Sequence, residues 1–454
     1  MNNKSHLKKL RKNIVWPHNA ALSYYGVKAP ILTNCSGSTY TDIDGVQYID
    51  ALAGVANVNL GYGQNKIIDA MKKQLDQLSY NYSSYSISVP ELELAESLLN
   101  VLPKNMGRIF FGTGGSEANE TAIKLARQYH CISGNEKKHR VISRKISYHG
   151  GTLGALSATS FLDRTKVFEP LLLDFPKVNA AYPYRSNSDE LDLGVQLAQE
   201  LEKTIKNEIP DTISAFIVEP VVGMAGGAIV PPSNYMKNIR EICDKYDVLL
   251  IFDEIITGFG RTGKMFAAEH WNVEPDMITM GKGLTSGYSP LSAVSTSNKI
   301  NETFEDSDST FMHGITYGGH PVSCAAGTAS LNMYIAQNMP NYAVNKGNML
   351  INEFRKFQHN IVGDVRGLGL LIGIELVSDQ RSKKPFKLNQ EVGKFIASKS
   401  LDKGVKIYGG KGAEPELMGD LIIISPPFVI ESMQIDKIIR VIDETILSAE
   451  KEFL

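Results

Sequence analysis

TISAFIVEP (residues 212–220) is the first of three short apolar runs, and DVLLIFDE (247–254) and DMITMGKG (276–283) follow it along the chain. Each run has the length of a buried strand and ends in polar or charged residues. A segment with helical spacing of apolar residues lies between the first two runs, and strands that alternate with helices favour a parallel sheet covered by helices. The stretch therefore predicts an α/β domain whose strands end near three polar side chains: Glu219, Asp253 and Lys282.

The pattern on either side of these runs predicts two domains. Residues 56–320 have the alternation of strands and helices expected of one large α/β domain. Residues 1–55 differ, because they alternate in polarity and contain Asp44–Gly45, a pair typical of a hairpin turn. Residues 321–454 mix short strands with helices. We expect the N-terminal segment to join this C-terminal part in a smaller α+β domain.

The composition is that of an ordinary globular protein and argues against several classes of function. Hydrophobic residues make up 43% of the 454 residues, and the net charge of −2 comes without a long basic or acidic block, so a nucleic-acid partner has no support. No apolar run is long enough to span a membrane, and none follows the basic N-terminus as in a secretory signal. The four cysteines form no CxxC pair and the nine histidines form no HExxH pattern, so we expect a cytoplasmic protein without disulfides or bound metal.

FFGTGGSEANET (110–121) joins a strand to a helix through a glycine-rich loop. Gly112, Gly114 and Gly115 allow a ligand to approach the backbone closely, and Ser116 opens the helix. Free amides at a helix N-terminus together with a hydroxyl group form a site for an anion. The loop matches neither the P-loop nor the GxGxxG pattern, so a nucleotide is not the expected ligand. The alternative is a glycine turn in which Ser116 only caps the helix.

Asp253 follows four apolar residues, so we expect its carboxylate at the carboxyl end of a strand, where open α/β sheets bind ligands. A carboxylate in such a place needs a positive partner or hydrogen bonds to remain ionised. The alternative is a structural ion pair, for which Arg261 in GFGRTG is a candidate.

Lys282 stands between Gly281 and Gly283 at the end of the third apolar run. In a poorly solvated pocket the pKa of a lysine is lowered, because burial disfavours the ammonium form. A neutral amine can form a Schiff base with an aldehyde, and the two glycines let the backbone pass close to a ligand. The alternative is a surface lysine on a glycine loop.

An anion site, a carboxylate and an activated lysine at strand ends are together the three anchors that pyridoxal 5′-phosphate requires. The lysine would hold the aldehyde of this cofactor, the carboxylate would keep its ring nitrogen protonated, and the loop would hold its phosphate. Tyr148 in SYHGG adds an aromatic face that could stack on the ring. Core packing is the alternative for this tyrosine.

The chain contains, in this order, GTGGSEAN, YHGG, EPVVG, FDEIITGFGRTG, MGKGLTSGYSPLSAV and HGITYGGHP. This series resembles the signature motifs of the class III pyridoxal-phosphate-dependent aminotransferases, the group that acts on ω-amino acids. The resemblance implies the fold type I of pyridoxal-phosphate-dependent transferases, with a large domain on a mainly parallel seven-stranded sheet and a smaller α+β domain. It also implies a homodimer with active sites at the subunit interface.

The same resemblance implies catalytic roles for Lys282 and Asp253. Lys282 would form the Schiff base with the cofactor and would carry a proton between the substrate Cα and cofactor C4′. Asp253 would pair with the pyridine nitrogen. Glu219, which we count among the cofactor-binding residues, resembles the glutamate that pairs with a mobile arginine in several members.

Five further residues would contact the cofactor by this resemblance. Gly115 and Ser116 would bind its phosphate, while Tyr148 and Ile255 would lie on the two faces of its ring. Thr316 resembles the threonine that reaches the phosphate bound to the neighbouring subunit, and its alternative is a plain turn residue.

Two positions depart from the family pattern, and both concern the substrate. Ala56 stands where many amine–pyruvate members have a tryptophan, which suggests a pocket of different shape. The segment 404–428 contains no arginine, although many members bind the substrate carboxylate with one there. Lys406 or Lys411 could substitute, but a lysine cannot form the planar bidentate pair of an arginine.

The expected activity is the ping-pong transfer of an amino group from an ω-amino acid or amine to pyruvate or a similar 2-oxo acid. The alternatives on the same fold are a decarboxylase, an aminomutase, or a diamine or ω-amino acid aminotransferase that uses 2-oxoglutarate. A catalytically silent binding protein is a third possibility, which the presence of both Lys282 and Asp253 disfavours.

Overall fold

The computed structural model describes residues 4–13, 15–21, 28–208 and 210–454 of the chain. The helices of two turns or more that it contains are Lys4–Asn13, Asn65–Gln77, Val89–Leu99, Gly115–Ile132, Glu190–Asn207, Tyr235–Lys245, Asn298–Asp306, Pro321–Ala336, Met339–Phe354, Val392–Asp402 and Ser432–Phe453. Shorter helical segments are Ala53–Ala56, Leu153–Ala158, Leu162–Thr165 and Pro415–Met418. The strands are β1 (Leu32–Ser36), β2 (Thr39–Asp42), β3 (Gln47–Asp50), β4 (Met106–Gly112), β5 (Arg140–Arg144), β6 (Lys177–Val178), β7 (Ile213–Val218), β8 (Leu249–Asp253), β9 (Met277–Met280), β10 (Ser292–Ser297), β11 (Val362–Leu368), β12 (Leu371–Leu376), β13 (Val405–Lys406), β14 (Tyr408–Lys411) and β15 (Asp420–Ile424).

Seven of these strands form one large sheet in the order β4-β10-β9-β8-β7-β5-β6. The pairs between β9, β8, β7, β5 and β6 are all parallel, whereas β10 runs antiparallel to both of its neighbours. The three apolar runs of the sequence are β7, β8 and β9, which lie side by side. The expected α/β fold with a mainly parallel seven-stranded sheet is confirmed.

Every residue of β7, β8 and β9 is buried, because helices cover both faces of this sheet. On one face, residues of the helix Gly115–Ile132 such as Ala122 and Ala126 share a core cluster with Ala215 and Leu249. On the other face, the helices Glu190–Asn207 and Tyr235–Lys245 bury side chains in the larger core. Each apolar side chain removed from water contributes about 1.5–3 kcal/mol, so the sheet is a rigid base for the residues at its edge.

Two four-stranded sheets lie outside the large sheet, with the orders β1-β2-β3-β13 and β11-β12-β15-β14. The turn between β2 and β3 contains Asp44 and Gly45, as the sequence predicted, and Gly45 has φ 87°. Pairing of Ile49 in β3 with Val405 in β13 brings the N-terminal hairpin to the C-terminal part of the chain.

The division of the chain at residues 55 and 320 remains a prediction. The pairing of β3 with β13 supports the assignment of the N-terminal segment to the smaller domain. The helix Pro321–Ala336, however, contacts the helices Asn65–Gln77 and Val89–Leu99, so we propose that this helix belongs with the large domain. Among the described helices, none is both long enough and apolar enough to cross a membrane.

Candidate active site

Lys282 stands two residues beyond the end of β9 and opens a one-turn 3-10 helix, Lys282–Leu284. Its backbone is left-handed, with φ 41°, so the chain turns sharply where the strand ends. The side chain is partly buried, and within the described ranges its amine has neither a hydrogen bond nor an ion pair. Loss of water around the amine lowers the pKa of Lys282 to about 8, and the negative charges of Asp253 and Glu219 oppose this shift only in part. A surface lysine is therefore excluded.

Asp253 is the last residue of β8, and its carboxylate is held by hydrogen bonds. Oδ2 accepts from Nδ1 of His149 at 2.7 Å and from Nδ2 of Asn119 at 2.8 Å. Among the described residues, Oδ1 accepts only the N–H of Ile255, at 3.2 Å. The proposed alternative, an ion pair with Arg261, is wrong, because the Arg261 guanidinium donates to the carbonyl groups of Leu370 and Pro426.

Glu219 follows β7 directly, and its carboxylate is buried beside the other two strand ends. Oε2 accepts the N–H of Tyr148 at 3.1 Å, and Oε1 accepts the N–H of Gly223 at 3.0 Å. Burial raises the pKa of Glu219, although the nearby His149 opposes this. The backbone of Tyr148 lies at the site through its hydrogen bond to Glu219. Its ring is partly buried against a cluster that includes Phe161, and its stacking role stays a prediction.

The glycine loop between β4 and the helix Gly115–Ile132 borders the same place. A Cβ atom on Gly115 would lie 2.8 Å from Cδ1 of Ile255, and a Cβ atom on Gly281 would lie 3.7 Å from Cγ2 of Ile255. Ser116 Oγ accepts the N–H of Gly151 at 3.0 Å, which leaves the hydroxyl proton free to donate. The first amides of a helix have no partner within it. The structure therefore brings this helix N-terminus next to Gly281, the residue before Lys282.

Comparison with known proteins identifies the family. The family Aminotransferase class-III matches residues 25–446. The chain belongs to the class-III aminotransferases. One similar relative is the taurine–pyruvate aminotransferase of Bilophila wadsworthia, with 36% identity over 458 residues that cover 99% of this chain and 99% of the relative.

Solved structures of transaminases have the same fold as this class-III aminotransferase. The (S)-enantioselective ω-transaminase from Thermomicrobium roseum is similar with a TM-score of 0.93 and 35% identity, over 98% of this chain and 99% of that chain. The ω-transaminase from Pseudomonas jessenii in complex with PMP gives a TM-score of 0.92 and 31% identity, over 98% of each chain. The protein is thus an enzyme of the transaminase type that depends on pyridoxal phosphate.

The residues of this aminotransferase fit that cofactor. The Lys282 amine has no bonded partner in the described ranges and a pKa of about 8, as a group that bonds an aldehyde requires. Oδ1 of Asp253 keeps room for a further donor. A Cβ atom built on Gly114 meets nothing within 4 Å, so the space in front of the helix N-terminus is open to a phosphate group.

Thr316 is the one predicted site residue that the described chain does not bring to this cluster. It is exposed in a turn, and its carbonyl group accepts a hydrogen bond from the Tyr80 hydroxyl at 2.9 Å. An exposed position agrees with a role toward another subunit, and that role stays a prediction.

Asn119 and His149 were not singled out from the sequence, although both contact Asp253. Each lies inside a motif that carries the resemblance, Asn119 at the end of GTGGSEAN and His149 in YHGG. Their positions in these motifs were the available signal, but only the packing of the helix and the loop on β8 shows the shared partner.

Proposed function

We propose that this aminotransferase transfers an amino group from an ω-amino acid or simple amine to pyruvate or a similar 2-oxo acid in a ping-pong reaction. The observation that carries the proposal is a lysine of lowered pKa, placed beside a hydrogen-bonded aspartate and an open helix N-terminus. The similarity to a taurine–pyruvate aminotransferase and to ω-transaminases supports these classes of donor and acceptor.

Each residue of the cluster has a physical task in this proposal. When bound, the cofactor supplies an aldehyde for the amine and a ring that accepts the electron pair left at the substrate Cα. Lys282 Nζ would take the Cα proton as a general base, since a pKa of about 8 keeps part of the amine neutral near pH 7. Asp253 would hold the ring nitrogen in its protonated form. The amides of Gly115 and Ser116 would bind phosphate, and Tyr148 and Ile255 would enclose the ring.

The lysines of the C-terminal segment decide whether the chain can bind a substrate carboxylate. Within the segment 404–428, Lys406 lies in β13 next to Asp50, and burial lowers the pKa of Lys406. Lys411 lies opposite Asp420 in the pair of β14 with β15. Both lysines thus have acidic neighbours, and neither takes the place of the arginine that binds the substrate carboxylate in many members of the family. We therefore propose that amines without a carboxylate next to the reacting carbon are the preferred donors.

A homodimer in the cytoplasm completes the proposal. Tyr85, Met312 and Tyr317 are 90%, 76% and 59% exposed, and an exposed apolar surface of this kind indicates a protein partner. The segments that carry them are in contact, because Tyr80 and Tyr317 pack edge to face with ring centroids 6.0 Å apart. The four cysteines are unpaired, which supports a reducing compartment.

A visible absorbance titration of the purified holoenzyme tests this function. We expect one amine donor to bleach the visible band of the bound cofactor and pyruvate or another 2-oxo acid to restore it. Lys282→Ala should remain folded and lose at least about 10³-fold in rate, while a change of the exposed Lys73 to alanine should have no effect. Release of carbon dioxide from the donor would favour a decarboxylase instead, and a Lys282→Ala enzyme with normal turnover would contradict the site.

A further inference from the structure

Asn119 connects four parts of the active site through one side chain. It lies on the helix Gly115–Ile132 and is completely buried. Its Nδ2 donates to the carbonyl oxygen of His149 at 2.6 Å and to Oδ2 of Asp253 at 2.8 Å. Its Oδ1 accepts from the hydroxyl group of Thr279 on β9 at 2.8 Å. The amide thus joins the helix, the loop that contains His149, the end of β8 and the strand that leads to Lys282.

Only one arrangement of hydrogens satisfies these contacts. An amide nitrogen carries two donors, and here both face groups that accept, a backbone carbonyl and a carboxylate. If the amide were turned by 180°, its oxygen would face both of these acceptors, and its nitrogen would face Thr279. Acceptor–acceptor contacts in a buried place are costly, so Nδ2 stays toward Asp253.

The fixed amide determines which oxygen of Asp253 is free. Oδ2 accepts from Asn119, and it also accepts from His149 when the ring carries its hydrogen on Nδ1. A carboxylate oxygen that accepts two such hydrogen bonds cannot also carry a proton toward them. In the part of the chain that the structure describes, Oδ1 has only the 3.2 Å contact with the N–H of Ile255, so it is the oxygen with remaining capacity.

We propose that Asn119 is a positioning residue that holds the Asp253 carboxylate through Oδ2 and leaves its Oδ1 as the acceptor for the ring nitrogen of the cofactor. Thr279 is the second part of this device, because its hydroxyl group holds the Asn119 amide in the required orientation. This inference rests on the proposed function, since it assigns the residue that prepares Asp253 for its partner.

Asn119→Asp is the decisive variant, because it keeps the shape of the side chain and removes both donors. Two carboxylates would then share the site and could hold one proton between them, which shifts one pKa upward. We expect kcat at neutral pH to fall by about 10–100-fold and the pH profile of kcat to gain an ionisation that the wild-type enzyme lacks. We also expect weaker binding of pyridoxal phosphate to the apoprotein, measured by fluorescence quenching. A structural role alone would lower the melting temperature without adding an ionisation.

Thr279→Val keeps the test valid if Asn119→Asp does not fold. Thr296→Val is its matched control, since Thr296 donates in the same way to Oδ1 of another buried asparagine, Asn301, at 2.5 Å. We expect Thr279→Val to weaken cofactor binding and kcat by about 10-fold, the lower limit of such outer-contact effects, and Thr296→Val to leave both unchanged.

The two levels of the proposal fail in different ways. A wild-type protein that binds no pyridoxal phosphate would contradict the proposed function itself. A normal wild-type enzyme together with an Asn119→Asp variant of unchanged kcat, pH profile and cofactor affinity would overturn the role of Asn119. For the threonine pair, equal effects of Thr279→Val and Thr296→Val would overturn it as well.

Discussion

At Lys282 the amine is poorly solvated, and in the described part of the chain it has no acidic group within bonding distance. An ordinary lysine would be fully charged near neutral pH, whereas desolvation here lowers the pKa from 10.5 to about 8. The position of this amine therefore lowers the stability of the folded apoprotein. The apoprotein must hold an ammonium ion in a poorly solvated place at any pH below that value.

This cost predicts a pH-dependent effect of Lys282→Met on the apoprotein. The unfolded chain releases the proton near 10.5 and the folded chain near 8, so the unfolded state binds more protons between these values. The free energy of unfolding of the wild-type apoprotein therefore rises with pH in that window. We expect Lys282→Met to be more stable than wild type at pH 7, by at most about 3 kcal/mol, and this advantage should shrink toward pH 10.

Urea denaturation of the two apoproteins at pH 7 and at pH 9.5 measures the difference. Lys73→Met is the control, because Lys73 is exposed and its substitution should change stability equally at both values of pH. An advantage of Lys282→Met that does not depend on pH would show that desolvation of the amine is not its source.

At the scale of single elements, the sequence predicts strands better than it predicts partners. The ends of β7, β8 and β9 follow from apolar runs, because a run and its polar boundary are local features. The partner of Asp253 is not local, and Arg261 was a wrong candidate for that reason. Its guanidinium lies 4.7 Å from the centroid of the Phe428 ring, far along the chain. The contacts of Asn119 likewise depend on how a helix and two strands pack.

The short segment Ala53–Ala56 next to the site shows a feature that no sequence pattern indicated. All of its residues have positive φ, and Val55 has φ 125° and ψ 60°. For a β-branched residue this is a strained conformation. The carboxylate of Asp50 holds the segment by accepting the N–H groups of Leu52 at 3.1 Å and Gly54 at 2.8 Å.

Replacement of Val55 by glycine should therefore stabilise the protein. Glycine adopts this conformation without strain, which recovers about 1–3 kcal/mol, and its greater freedom in the unfolded chain removes about 0.5–1 kcal/mol. We expect a net gain of about 1 kcal/mol in the free energy of unfolding, by chemical denaturation. Val46→Gly is the matched control, since Val46 is also exposed but has no positive φ, and it should destabilise. Loss of stability in both variants would contradict the strain at Val55.

At the scale of the whole molecule, the described residues of a single chain bring together every predicted site residue except Thr316. The turn of Thr316 lies beside the exposed tyrosines of residues 80–85, and the Tyr80 hydroxyl binds the Thr316 carbonyl group. The surface expected to pair two subunits and the residue expected to reach the second cofactor are thus one continuous region. Assembly and cofactor binding should then depend on each other.

Mixed dimers provide a direct test of this connection. We would purify, with two different affinity tags, dimers that contain one Lys282→Ala chain and one Thr316→Ala chain. If Thr316 acts on the cofactor of the other subunit, the Lys282 of the second chain meets the unchanged Thr316 of the first, and one of the two sites is complete. We expect about half the wild-type activity per dimer at limiting cofactor, although each parent homodimer is impaired.

The reciprocal dimer, a wild-type chain with a Lys282→Ala/Thr316→Ala chain, separates the two arrangements. Action between subunits pairs its only Lys282 with an alanine, so this dimer should bind the cofactor weakly. Action within one chain predicts the reverse, a complete site in the reciprocal dimer and none in the first. Since both dimers contain the same two substitutions and differ only in their distribution between the chains, a common loss of folding cannot mimic either result. A chain that remains monomeric in hydrodynamic measurements would contradict the dimer itself.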